Sequence, residues 1–105
     1  GDVARISFAN LCETPLGARD YLAIAGRFAG LLIDHVPVLT SANEPAARRF
    51  MWMVDALYDR QRFLVASADT DIANLYQGHN YSFEFERTGS RLGEMTHRGA
   101  HAEST

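Results

Sequence analysis

Short apolar runs alternate along the chain with segments whose apolar residues recur at helical spacing. Ile6 and Phe8 stand at period two and predict a strand over residues 5–12. Two further runs, 31–36 and 63–66, are short and almost continuously apolar, which is typical of strands buried on both faces. The pattern therefore predicts three short strands before the last third of the chain.

Two helices are predicted between these strands. Thr14, followed by a proline, favours a helix start and predicts a helix over 16–28. The longer helix is predicted over about 44–61, with Asn43 as its N-cap. Its apolar residues form one stripe, composed of Ala47, Phe50, Met51, Val54, Leu57 and Tyr58.

The last third of the chain has a weaker pattern. A helical turn is predicted at 70–77, and Tyr81, Phe83 and Phe85 alternate with polar residues as in a strand with one wet face. A last short helix is predicted at 90–97. The order of strands and helices indicates an α/β fold: a small layered structure with short buried strands, two to three helices and some parallel pairing.

Length and charge narrow the function. The 105 residues are enough for one small domain, predicted over 1–96, with a disordered tail over 97–105. The net charge of −3 argues against a nucleic-acid partner, and no apolar run is long enough to cross a membrane. All ten basic residues are arginine. Without lysine, this chain by itself cannot form a Walker phosphate loop or a Schiff base.

Arginines supply the candidate chemistry. Arg48 and Arg49 lie near the start of the long helix, and an arginine fork binds phosphate with two parallel hydrogen bonds. The alternative is that Arg48 pairs with Asp55 or stacks on Trp52 while Arg49 is solvated.

The segment 87–95 combines arginines, hydroxyls and glycines at a predicted strand-to-helix junction. Arg87, Arg91 and backbone N–H groups there form a candidate anion cradle. The alternative is an ordinary helix cap in which Arg91 pairs with Glu94.

Other titratable residues give weaker signals. Asp34 ends an apolar run, as a Mg²⁺-holding acid does, but His35 follows where a second acid is expected, so a strand-end carboxylate that caps the next turn is favoured. The four histidines have no zinc-site spacing, and no metal site is predicted. Cys12 paired with a histidine would make a small hydrolase, which requires an exposed thiol.

Five segments in order carry a resemblance. They are Phe-Ala-Asn-Leu-Cys at 8–12, Gly-Ala-Arg-Asp-Tyr at 17–21, Ala-Arg-Arg-Phe at 47–50, Val-Asp-Ala-Leu-Tyr-Asp at 54–59, and Arg-Thr, Ser-Arg-Leu and Glu-Met within 87–95. Over roughly 5–96 the chain resembles the C-terminal part of the ZapE-type P-loop ATPases. This family includes bacterial cell-division proteins and mitochondrial relatives named for ATPase family gene one. The resemblance implies that the full-length protein binds and hydrolyses ATP in bacterial cell division or in membrane-protein quality control.

The resemblance implies a fragment of a larger AAA-like ATPase whose phosphate-binding loop lies upstream. ATP and Mg²⁺ are then cofactors of the full-length protein, with none expected on this fragment, which is not catalytically competent alone. The implied partners are the missing N-terminal half, further copies in a homo-oligomer and a protein client such as a division-ring component. The implied location is cytoplasmic or peripheral at the inner membrane. We also expect the isolated chain to self-associate through a sheet edge left bare.

The resemblance also implies the site residues. The candidates for phosphate contact, in cis or across a subunit boundary, are Arg91, Arg48, Arg49 and Arg87. The motif residues without an assigned role are Asp20, Tyr21, Asp55 and Tyr58. The alternative function is a protein-binding module with no role in nucleotide chemistry. An exposed apolar patch around Trp52 or Tyr58 favours that module, whereas a concave cluster of Arg48, Arg49 and Arg91 favours phosphate binding.

Overall fold

A computed structural model describes the backbone of residues 2–101 and the side chains of residues 2–95. Its elements in chain order are β1 (Asp2–Arg5), α1 (Phe8–Cys12), α2 (Ala18–Arg27), β2 (Phe28–Val36), β3 (Leu39–Thr40), α3 (Glu44–Asp59), β4 (Phe63–Ala68), β5 (Tyr76–Gln77) and α4 (Ser82–His101). Two short 3₁₀ turns, Ser41–Asn43 and Ile72–Asn74, precede α3 and β5.

The main sheet has the order β1–β2–β4, and both pairings are parallel. Parallel neighbours require a crossover, which α1 and α2 provide between β1 and β2, and α3 provides between β2 and β4. β3 and β5 form a second, two-stranded parallel sheet. The predicted α/β class with parallel pairing is confirmed, with four helices among the described residues rather than two to three.

The core lies between one face of the main sheet and the helices. The sheet contributes Leu31, Ile33 and Leu64, all almost fully buried. On the helix side Phe50 of α3 is central, because its ring lies 6.2 Å from that of Phe8 and 6.5 Å from that of Phe85. One continuous core therefore joins all four helices to the sheet.

The predicted strand over 5–12 is wrong beyond its first residues. The Ile6 N–H still donates to the Leu32 carbonyl, but Ser7 then accepts a hydrogen bond from the Asn10 N–H and caps α1. Phe8 points into the core together with two later residues of the same short helix. Helical burial thus outweighs the period-two pattern.

The predicted strand at Tyr81, Phe83 and Phe85 is also wrong. These residues and the predicted helix over 90–97 belong to one long helix, α4. Phe85 is buried with Thr88, Leu92 and Met95 at helical spacing, whereas Phe83 is 82% exposed. The structure describes side chains to residue 95 and the backbone to residue 101. The side chains of the disordered tail predicted over 97–105, and its backbone beyond 101, lie outside the described residues. The disordered tail therefore stays a prediction.

The other predicted elements are confirmed with small changes at their ends. The strands at 31–36 and 63–66 and the helices at 16–28 and 44–61 are present. The caps differ from those predicted, because the Asn43 side chain accepts from the Thr40 N–H and does not cap α3. The predicted turn at 70–77 contains the second 3₁₀ turn and β5. Within the described part of the chain, no helix is both long and apolar enough to cross a bilayer.

The C-terminus of α3 contains a strained residue. The N–H groups of Gln61 and Arg62 donate to the carbonyls of Tyr58 and Leu57, which is the paired bonding of a Schellman motif. That motif needs a left-handed residue, and Gln61 adopts φ 58° although it carries a Cβ.

Replacing Gln61→Gly should remove this strain and raise the free energy of unfolding by about 1 kcal/mol. Urea unfolding of the folded chain measures the change. Gln61→Ala is the matched control, because it removes the same side chain but keeps the Cβ and should give no gain. Equal stability of the two variants would show that Gln61 is not strained.

Candidate functional site

A cluster of charged and aromatic side chains lies between α3 and α4. The Asp55 carboxylate accepts from Arg91 Nη1 at 2.7 Å through one oxygen and faces Arg87 Nη2 at 3.5 Å through the other. The two arginines are four residues apart on α4 and therefore share a face. The structure thus brings two sequence-predicted arginines together around Asp55, which is itself one of the motif residues.

Tyr58 completes this cluster. The Arg91 guanidinium lies over the Tyr58 ring, 4.7 Å from its centre, and the Tyr58 hydroxyl donates to Glu94 Oε2 at 3.2 Å. The alternative in which Arg91 pairs with Glu94 is not what the structure shows, because Asp55 takes the arginine and Tyr58 takes the glutamate. Arg91 is held on two sides, and its side chain is only 26% exposed, against 61% for Arg87.

Arg48 lies on the same face of α3 as Asp55, nearer the N-terminus of the helix. Its guanidinium stacks over Trp52 at 4.9 Å from the ring centre, as one alternative predicted. Residues 48, 52 and 55 follow one another at spacings of four and three and therefore share a helix face. Arg48 is exposed and makes no ion pair within the described part of the chain. Stacking leaves the edge of the guanidinium, with its N–H donors, open.

Arg49 points to a different part of the molecule. Its Nη1 donates to the backbone carbonyl of Cys12 at 3.2 Å and so ties α3 to the end of α1. Burial, only partly offset by Arg49, raises the pKa of the Cys12 thiol to about 12. A buried, protonated thiol is no nucleophile, so the alternative of a Cys12 hydrolase is wrong.

Asp20 and Tyr21 hold the first helices in place. Asp20 Oδ2 accepts from the Gly17 N–H at 2.7 Å and caps α2. The buried Tyr21 hydroxyl donates to the Leu11 carbonyl at 2.5 Å, and burial raises the pKa of this phenol well above its ordinary value. Both motif residues therefore have internal partners on the α1–α2 side of the molecule.

Neither surface named as decisive in the sequence is formed as predicted. Arg48, Arg49 and Arg91 do not converge, because Arg49 contacts α1 while Arg91 is bound to Asp55. Trp52 and Tyr58 are each covered by a guanidinium. Among the described side chains, the large apolar residues that are exposed lie elsewhere, at Val3, Leu22 and Phe83.

Asp34 does not cap a turn. Its carboxylate binds Arg5 of the neighbouring strand at 2.8 Å, and both side chains are exposed. Over residues 2–95 no group of three or more histidine, cysteine or acidic side chains is arranged to hold a metal ion.

Sequence reasoning missed a buried carboxylate at the start of α3. Glu44 accepts from the Tyr76 hydroxyl at 2.5 Å and from the N–H groups of His79 and Asn80 at 3.1 and 2.8 Å. The Tyr76 hydroxyl in turn accepts from the Tyr81 N–H at 2.8 Å. The turn before α4 is therefore fixed to the first residue of α3. The signal in the sequence was the Gly-His-Asn turn at 78–80, which indicates a turn but not its partner.

These contacts explain Gly78 and the titration of the carboxylate. A Cβ at Gly78 would collide with the Glu44 carboxylate and the Tyr76 hydroxyl, so any other residue would have to displace these hydrogen-bonded groups. The hydrogen bond from Tyr76, helped by the backbone donors and opposed by burial, lowers the pKa of Glu44. Burial and the bond to Glu44 raise the pKa of Tyr76.

Because the folded state lowers the pKa of Glu44, its ionised form stabilises the fold above the ordinary glutamate pKa. That contribution is lost as pH falls through the lowered value. Glu44→Gln should therefore reduce the free energy of unfolding most at pH 7, and the difference from wild type should shrink in acid. Urea unfolding at a series of pH values tests this, with the exposed Glu86→Gln as the charge-matched control. A deficit independent of pH would contradict the assignment.

The two arginines on Asp55 should differ in energy. A double-mutant cycle of Asp55→Asn with Arg91→Gln should give a coupling of about 1 kcal/mol, because both side chains are mostly buried and closely paired. The same cycle with Arg87→Gln should give a coupling near zero, since Arg87 is exposed and its contact is long. Denaturant unfolding measures both, and equal couplings would refute the distinction.

Comparisons with known proteins agree with the family resemblance that the sequence motifs carry. The family model described as AFG1-like ATPase matches residues 1–103. The chain is 41% identical over 90 residues to the cell division protein ZapE of Escherichia coli K12, covering 86% of this chain and 24% of that protein. It is 38% identical over 95 residues to lactation elevated protein 1 homolog B of Danio rerio, covering 90% of this chain and 19% of the relative.

The match extends to a fungus and is partial in every case. An uncharacterized protein of Schizosaccharomyces pombe, C115.02c, is 33% identical over 76 residues, which are 72% of this chain and 17% of the relative. The chain thus spans about a quarter or less of the length of these curated relatives. No solved structure gives a significant match. With the family model covering nearly the whole sequence, this chain belongs to the AFG1-like ATPase family.

Proposed function

We propose that this chain is one part of a larger P-loop ATPase that binds and hydrolyses ATP with Mg²⁺ and acts, like the relative named a cell division protein, in bacterial cell division. The observation that supports this most is the family match over residues 1–103. The absence of lysine from the sequence agrees with it, because the phosphate-loop lysine must then come from residues outside 1–105. On this proposal the protein is cytoplasmic, forms homo-oligomers and acts on a protein client.

The geometry favours two of the four arginines for phosphate contact. Arg48 and Arg87 are exposed. Among the described side chains, Arg48 is held by stacking on Trp52 and Arg87 by a long contact to Asp55. Both keep N–H donors that an anion can take. Arg91 is closely bound to a carboxylate, so its role in this proposal is to position α4.

Arginine suits this role for electrostatic reasons. Phosphoryl transfer spreads negative charge over the γ-phosphate oxygens in the transition state, and a positioned guanidinium stabilises that charge. Such an arginine contributes more to turnover than to ground-state binding of the nucleotide.

In the full-length protein, Arg48→Ala and Arg87→Ala should each reduce kcat by about 10²-fold or more while the Kd for nucleotide changes little. Steady-state ATP hydrolysis and equilibrium nucleotide binding measure the two effects. Arg27→Ala is the matched control for Arg48→Ala, because Arg27 also stacks on an aromatic ring, that of Phe28 at 5.5 Å. It should leave turnover unchanged.

The stability of each variant separates the roles. Arg91→Ala should lower the free energy of unfolding, whereas the Arg48 and Arg87 variants should stay close to wild type. If Arg48→Ala and Arg87→Ala turn over ATP like Arg27→Ala, the proposed role of these arginines is wrong. Loss of turnover by Arg91→Ala at unchanged stability would instead give the phosphate contact to Arg91.

A further inference from the structure

The main sheet has one face that the described helices do not cover. Core residues of all four helices pack with Leu31, Ile33 and Leu64, which lie on the same face of the sheet. Neighbouring residues on a strand point to opposite faces. Leu32 and Val65 therefore point to the other face, where they stay partly exposed and outside the core.

The strand register arranges that second face into rows. Val3, Gly30 and Phe63 are aligned across the three strands in one row, and Arg5, Leu32 and Val65 in the next. A Cβ at Gly30 would lie 2.5 Å from the Phe63 ring, so the ring lies flat across the sheet at that point. The result is an open apolar surface made of Val3, Leu32, Phe63 and Val65, which we call the open face.

One end of the open face is polar but electrically neutral. Arg5 and Asp34 bind each other there at 2.8 Å, and Ser67 follows on β4. A shallow depression of about 350 Å³ lies between these side chains, Leu32 and Val65. Because the two charges compensate each other, the open face attracts an uncharged apolar partner rather than an acidic or basic one.

A parallel sheet with such a face is incomplete. Parallel sheets occur almost only with both faces covered, and their residues are apolar on both sides, whereas antiparallel sheets tolerate one wet face. Both pairings of the main sheet are parallel, and both of its faces carry apolar rows. The open face is therefore of the kind that a second layer normally buries.

We infer that the open face is the docking surface for a helical layer formed by the same polypeptide outside residues 1–105. This rests on the proposal that the chain is part of a longer ATPase. The matched relative ZapE supports it, because this chain covers only 24% of that protein, and most of it lies outside the match. A helix with an apolar stripe fits the rows Val3–Phe63 and Leu32–Val65, and its polar end meets the Arg5–Asp34 pair.

Cysteine labelling tests the assignment. Val3→Cys and Val65→Cys are placed on the open face, and Leu22→Cys is the matched control on α2, since Val3 and Leu22 are both 47% exposed in this chain. In the full-length protein a maleimide should label the two open-face positions at least about 100-fold more slowly than Leu22→Cys. In the 105-residue chain Val3→Cys and Leu22→Cys should react at similar rates. The native Cys12 is buried and remains unlabelled while the chain is folded.

The outcomes are separable. Rapid labelling of Val3→Cys and Val65→Cys in the full-length protein overturns the inference. Protection in the full-length protein that disappears on dilution also overturns it, because the occupant is then a second copy. Labelling does not depend on ATP turnover, so the inference can fail while the proposed ATPase activity holds. A native polypeptide of no more than 105 residues would instead overturn the proposed function, and this inference with it.

Discussion

The Glu44 carboxylate sets the geometry of the candidate site. It gathers a phenol and two backbone donors and so fixes the turn before α4 to the first residue of α3. From that point the two helices run side by side in the same direction, since Phe50 then meets Phe85 and Tyr58 meets Glu94. Because the helices start in register, Asp55 meets Arg87 and Arg91 and holds them in one cluster.

The arginines that the motifs brought to attention turn out to be of two kinds. Arg49 and Arg91 are part of the framework: one binds a backbone carbonyl of α1, and the other a carboxylate of α3. Arg48 and Arg87 lie at the surface and keep guanidinium N–H donors that a ligand can use. A sequence motif records both kinds alike, because an arginine that holds a fold and one that contacts a ligand look the same without their partners.

The sequence could predict the elements whose stability is local. The long apolar stripe of α3 and the apolar runs of β2 and β4 fixed their type and place. It predicted a helix over 90–97 but not the first half of α4, because Tyr81, Phe83 and Phe85 alternate like a strand. What makes that segment helical is tertiary contact: Phe85 packs between Phe50 and Tyr76.

The Asp55–Arg91 pair could not be predicted either, because its two residues are 36 positions apart in the sequence. Spacing suggested the nearer Glu94 instead, since helical neighbours are the only pairs a sequence displays.

The parallel pairing of every described strand bears on how the molecule reaches its fold. A parallel pair has no hairpin, so no two strands can meet until the helix between them has brought their ends together. The search for native contacts is therefore dominated by distant parts of the chain, which slows it relative to helical bundles of the same size. Until β1 and β4 have both docked on β2, the apolar strand surfaces remain unpaired. During that interval the chain is exposed to misassociation, which a covalently attached neighbour could limit simply by being close.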